Sequence, residues 1–130
     1  MHKWVLSGIG VIYALNALVM WFLPEWWYVT VPGITMMGPF NLHFVRDIGL
    51  VYLVSGLGLI YGIRAPQVAV FGCLWPALHA LFHAWIFFQR GMPVDFVAAT
   101  NLVLIQLPAW LSLWSAWSLL AVLKNRPHKS

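Results

Sequence analysis

Two pairs of residues in an otherwise apolar chain are able to do chemistry. The stretch "NLHFVRDIGL" (residues 41–50) sets His43 and Asp47 four positions apart, with Arg46 between them. The stretch "WPALHALFHAWIF" sets His79 and His83 at the same spacing. Residues four apart on a helix share one face, so each pair can aim two donors at one point. Two imidazoles from one helix, with a third nitrogen and a carboxylate from another, form the kind of ligand set that bundles build from facing helices. Imidazole suits zinc, copper, iron or nickel, and a carboxylate moves preference away from Cu(I). The first functional expectation is therefore a transition-metal site for zinc, copper or iron on His43, Asp47, His79 and His83.

Other readings stay open beside it. A non-catalytic accessory or assembly subunit of a larger membrane complex needs only that these groups satisfy one another. Asp47 would then bond Arg46 or His83, and Asn16 would pair with Asn101. A quinone or other small molecule can be held by His, Asp and Asn in an apolar cleft. A b-type haem would take His43 with His79 or His83 as axial ligands and Arg46 on a propionate. Phe44, Phe82 and Trp85 crowd those histidines, which counts against haem. Phosphate loop, nucleophile elbow and HExxH are all absent, so whether the chain is an enzyme is left open.

These residues need helices inside a bilayer to hold them. Of 130 residues, 62% are hydrophobic and 8% charged, and the mean hydropathy is +0.84. Soluble domains carry about 25% charged residues. A membrane helix takes about 20 apolar residues, which predicts four spans, at about residues 4–23, 41–63, 66–88 and 96–123. The fold class is an all-α integral membrane protein, one domain of four transmembrane helices in an antiparallel bundle. The opening run "MHKWVLSGIGVIYALNALVMWFL" is read as a retained first span rather than a signal peptide. It is long for an h-region, and "PEWWY" follows it instead of a cleavage site. Residues 24–40 hold Pro24, Pro32, Gly33, Gly38 and Pro39 and cannot form one helix. They are expected to lie along the outer surface, anchored by Trp26, Trp27 and Tyr28.

Charge sets the orientation. Lys3, Arg64, Lys124, Arg126 and Lys129 fall on one side of a four-span protein, and only Arg90 on the other, with Glu25 and Asp95. The positive-inside rule puts both termini in the cytoplasm of a bacterial plasma membrane. The formal charge of +4 lies at the ends and loops, so nucleic acid is not an expected partner. The bilayer is, together with a larger complex or a homo-oligomer. Cys73 is the single cysteine, which leaves no internal disulfide and reads as a small buried hydrophobe. His2 and His128 are expected in solvent, and Asp95 as the N-cap of the fourth span.

Depth and face refine the site. Asn16, Asp47, His83 and Asn101 each lie roughly 8–10 Å inside the outer end of a span, at ~1.5 Å rise per residue. Asp47 shares a stripe with Val51, Ser55, Gly58 and Gly62, and small stripes pack on other helices. That predicts Asp47 and His43 inside the bundle, with Asn16, Arg46 and Asn101 as supporting polar groups. Asn101 shares a stripe with Ile105, Pro108, Ser112 and Ser115. Trp110, Trp114 and Trp117 fall opposite, toward lipid or a partner, as do Trp26 and Trp27 in the loop. Pro76 and Pro108 are expected to kink their helices.

His43, Phe44, Arg46, Asp47, Gly49, Tyr52 and Leu53, followed by Pro76, His79 and His83, carry a resemblance. They match an H-F-x-R-D-x-G-x-x-Y-L pattern opening span two and P-x-x-H-x-x-x-H in span three. In this the chain resembles small four-span bacterial membrane proteins, loosely DoxX-like, over roughly half its length. The resemblance implies the four-span topology and singles out the same residues without naming what they bind. Cysteine-based redox roles of some such proteins would need more than Cys73.

Overall fold

A computed structural model describes residues 1–125; Arg126, His128 and Lys129 lie outside the described residues. The fold is all-helical. Helix α1 is His2–Phe22, α2 is Pro24–Thr30, α3 is Leu42–Tyr61 and α4 is Pro66–Gln89. Helix α5, Phe96–Asn101, runs through a π-helical turn, Leu102–Gln106, into α6, Leu107–Lys124. A short 3₁₀ turn covers Ile34–Met36. Four of these units, with α5 to α6 as one of them, are long and apolar enough to cross a membrane.

Boundaries follow local chemistry. Asn41 caps α3 by accepting from the Phe44 N–H at 3.1 Å, and Asp95 caps α5 by accepting from the Ala98 N–H at 2.7 Å. Such caps satisfy N–H groups that a helix start leaves orphaned. Pro24 and Pro66 open α2 and α4, where a missing N–H costs nothing.

The four long units form a ring in which α1 touches α3, α3 touches α4, α4 touches α6 and α6 returns to α1. Glycines set the close approaches. A Cβ on Gly56 would lie 2.6 Å from the Gly10 carbonyl, and one on Gly62 would lie 2.3 Å from the Ala69 Cβ. Gly58 faces Gly72 in the same way, so the small stripe of α3 does pack on α4. Leu6, Tyr13, Leu59, Cys73 and Ala116 fill the core. His2 is not solvated: it is half-buried beside Ser115 and edge-on to Trp114.

Residues 23–41 and 90–95 close one end of the bundle, called the cap end below. The other end carries Met1, the turn at 62–65 and Asn125. Ser112 and Ser115 are buried while Trp110, Trp114 and Trp117 face outward.

Candidate functional site

The cap end of the bundle is hollow. A cavity of about 400 Å³ opens between α1, α3, α4 and α5, roofed by Val31 to Met37. That volume lies in the ~300–1,000 Å³ range of small-molecule sites. Most of its wall is apolar: Ile34, Met36, Phe44, Phe82, Phe87 and Leu104 among others.

Its polar groups divide into two sets. The first set is committed to the protein. Asn16 Oδ1 accepts from the Trp27 indole at 3.0 Å, and its Nδ2 turns to the Met20 sulfur at 3.3 Å. Asn101 Nδ2 donates to the His83 carbonyl at 3.4 Å. Behind the wall, Gln106 Nε2 donates to the Ala80 carbonyl at 2.8 Å and to Asn101 Oδ1 at 3.3 Å, and Gln106 Oε1 accepts from Trp110 at 3.0 Å. Thr100 Oγ1 donates back to the Phe96 carbonyl.

The second set is uncommitted. His79, His83 and Tyr52, with Tyr13 beside them, line the cavity; their side chains make no hydrogen bond among the described residues, and none of their polar atoms is buried without a partner. They belong to one aromatic row. Tyr13 meets Tyr52 edge-on at 5.3 Å, and Tyr52 meets Trp75 at 4.8 Å. Trp75 lies flat on His79 at 4.7 Å and 13°, and His79 meets His83 at 4.6 Å. Packing on Trp75 fixes the plane of His79 at the cavity wall.

The cavity is electrically neutral. Arg90 is the one charged side chain in its wall, and it is paired with Asp95. The Ala98 N–H that Asp95 caps, and then the Arg90 guanidinium, hold the Asp95 carboxyl below the usual carboxylate range.

The four residues expected to share a metal fall into two separate pairs. His79 and His83 line the cavity, but His43 and Asp47 do not. They bond each other at 2.7 Å on the outward face of α3, with side chains 85% and 57% exposed. The reason is the slant of the stripe. Residues four apart advance about 400°, so an i, i+4 row drifts ~40° per step around the helix. The row that meets α4 at Ser55 and Gly62 has turned outward by Asp47. Among the described residues, no three His, Cys, Asp or Glu side chains converge to hold an ion. Two imidazoles fall short of the three or four protein ligands of a zinc site. With His43 facing away, the axial pairs expected for haem are not assembled either.

Supporting residues also moved. Arg46 does not reach Asp47; its guanidinium stacks over Trp21 at 5.4 Å and Nε donates to the Trp21 carbonyl at 3.4 Å. Asn16 and Asn101 bond other groups rather than each other. Trp26 is exposed, but Trp27 turns inward onto Asn16 and lines the cavity.

Sequence reasoning missed Gln106 and Trp75. Gln106 is five positions after Asn101, and residues five apart on an α-helix are turned about 140° from each other. The π turn, with i to i+5 bonding, brings them back into line. Leu107 N–H bonds the Leu102 carbonyl in that manner. Pro108, which has no N–H to donate to Leu104, follows directly. Trp75 stands four positions before His79, a spacing that signals stacking once His79 is singled out. Comparison with protein-family models, curated proteins and solved structures finds no match for this chain.

Proposed function

We propose that this chain is a multi-pass protein of a bacterial plasma membrane that binds a neutral, lipophilic, ring-bearing molecule of the quinone type. The cavity at the cap end is its site. The observation that carries the reading is the division of the cavity's polar groups: Asn16, Thr100 and Asn101 are engaged by the protein, while Tyr52, His79 and His83, with Tyr13 beside them, line one largely apolar cavity without a protein hydrogen bond. Among the described residues no side-chain N or O is sealed in the protein without a partner, so these groups are open to the cavity and free to pair with the polar atoms of a bound molecule.

The chemistry of the three groups selects the ligand. A phenol and neutral imidazoles both donate and accept, which suits a carbonyl or its reduced hydroxyl equally. Trp75, Phe44 and Phe82 give the wall the aromatic surface that suits a planar head. With Arg90 neutralised by Asp95, neither an anion nor a cation finds a counter-charge. Lys3, Arg64 and Lys124 at the other end of the bundle support an orientation with that end in the cytoplasm and the cavity toward the outer leaflet.

The test is saturable binding of a decyl-substituted dimethoxybenzoquinone to the protein in nanodiscs, read by calorimetry. Tyr52→Phe removes one hydrogen bond, about 1 kcal/mol, and should weaken binding roughly five- to tenfold. His79→Leu/His83→Leu should abolish it. Wild-type affinity in that double variant, or absence of saturable binding by the native protein, overturns the reading.

A further inference from the structure

Every long helix of a bundle shows a stripe of exposed residues at alternating spacings of four and three, because its outer face follows the helical period. On α3 that stripe is His43, Asp47, Leu50, Val54, Leu57 and Tyr61, all exposed. The outward stripes of α1 and α4 hold no ionisable residue within the span: Val11, Leu15 and Leu18 on one, Phe71, Leu74 and Leu78 on the other. The α3 stripe is set apart by carrying a carboxylate and an imidazole.

Depth makes this costly. Helix α3 has 20 residues, about 30 Å at 1.5 Å each, the thickness of a hydrocarbon core. Asp47 comes five residues after Leu42, ~8 Å along that length. Charged side chains within a span almost always face protein or water rather than lipid. His43 Nδ1 satisfies Asp47 Oδ2 at 2.7 Å. Among the described residues, His43 Nε2 and Asp47 Oδ1 have no partner on the outside of the bundle.

A second copy of the chain supplies both. A two-fold axis along the membrane normal sets two α3 helices parallel and brings like residues together at equal depth. Each Nε2–H can then donate to the mate's Oδ1, closing a ring of two imidazoliums and two carboxylates with no net charge. The rest of the stripe fits the same partner. Val54 takes the a position and Leu50 and Leu57 the d positions, the combination that favours parallel two-stranded packing. One polar a position, here Asp47, sets register and oligomer state. Beside the stripe, α1 and α3 leave an apolar groove of about 180 Å³ lined by Leu18, Trp21, Leu50 and Leu53, a place for side chains of the mate.

We infer that this face of α3 is the interface of a parallel homodimer, keyed by His43 and Asp47. The interface is independent of the cavity, which opens on the other side of α3.

The full-length protein in native membranes tests it by oxidative cross-linking. Leu50→Cys and Val54→Cys should each give a disulfide-linked dimer. Leu78→Cys, outward on α4, and the native chain with its buried Cys73 should not. In mild detergent, Asp47→Asn and His43→Ala should raise the dimer dissociation constant at least tenfold, read by single-molecule photobleaching. No linkage at position 50 or 54 above that at 78, or a native protein that is monomeric by photobleaching, overturns the dimer. The second result would assign the His43–Asp47 pair to lipid headgroups.

Discussion

Asn101 and Gln106 are five positions apart, yet the Gln106 side-chain amide donates to the Asn101 side-chain carbonyl at 3.3 Å. The bond exists because the π turn between them unwinds the helix locally, with a smaller rotation per residue than α-helical winding. Through it, α5 and α6 grip the Ala80 and His83 carbonyls of α4. The turn before Pro108 thus determines where the histidine-bearing segment of α4 sits.

Replacing Gln106 should expose that dependence. Gln106→Leu removes three hydrogen bonds, of which the one to the Ala80 carbonyl crosses to α4 and the other two lie within the fourth helical unit. Interhelical bonds in membranes average ~0.6 kcal/mol and reach ~1.7. A total loss of about 1–2 kcal/mol is expected in a steric-trapping unfolding assay. Unchanged stability would mean that the α4–α6 contact rests on packing alone.

Glycine contacts make a contrast within one protein. Gly62→Ala would put a methyl into the backbone of Ala69 and should cost about 1–3 kcal/mol as overpacking does. Gly8→Ala meets nothing within 4 Å and should leave thermal stability unchanged or slightly raised, since alanine favours helix. Equal melting temperatures for the two variants would contradict the close α3–α4 approach.

One contact in the cavity roof has a strict size limit. Gly33 has φ +88, and a Cβ there would come within 2.7 Å of a Val97 methyl. Gly33→Ala should lift the roof and, for the quinone-type ligand proposed above, speed release several-fold in stopped-flow measurements. Adding Val97→Ala should restore part of the loss, because it removes the clash but leaves the left-handed backbone strain of roughly 1–2 kcal/mol.

Asp95 predicts a pH dependence with a definite sign. Its carboxyl titrates below the ordinary value in the folded protein. The stabilisation it brings to the start of α5 is therefore complete above the unfolded value of about 3.9 and lost as pH falls through the lower folded value. The Ala98 amide resonance should hold steady above about pH 4 and shift only below it. Asp95→Asn should abolish that shift. A transition at or above the unfolded value would contradict the cap.

Much of the fold was legible without coordinates. The four apolar runs at 4–23, 41–63, 66–88 and 96–123 differ from the helices by a few residues, because length and apolarity are one-dimensional properties of the chain. Prolines and caps are equally local: Pro66 opens α4, and Asp95 caps α5 as its sequence context suggests. The cavity members His79, His83, Asn16 and Asn101 were legible too, as polar groups at one depth in different spans.

What the sequence alone determined is therefore which segments are helical, where they break, and at what level their polar residues lie. Tertiary structure decided which way those residues face. His43 and Asp47 left the site because a row of residues four apart winds slowly around its helix, so contact with α4 at one end does not extend to the other. Gln106 supports the site from behind, through Asn101, because a π turn shifts angular register in a way that α-helical counting does not reveal. Depth accumulates along the chain and can be counted; facing depends on the partner helix and the local winding, and only the packed bundle supplies both.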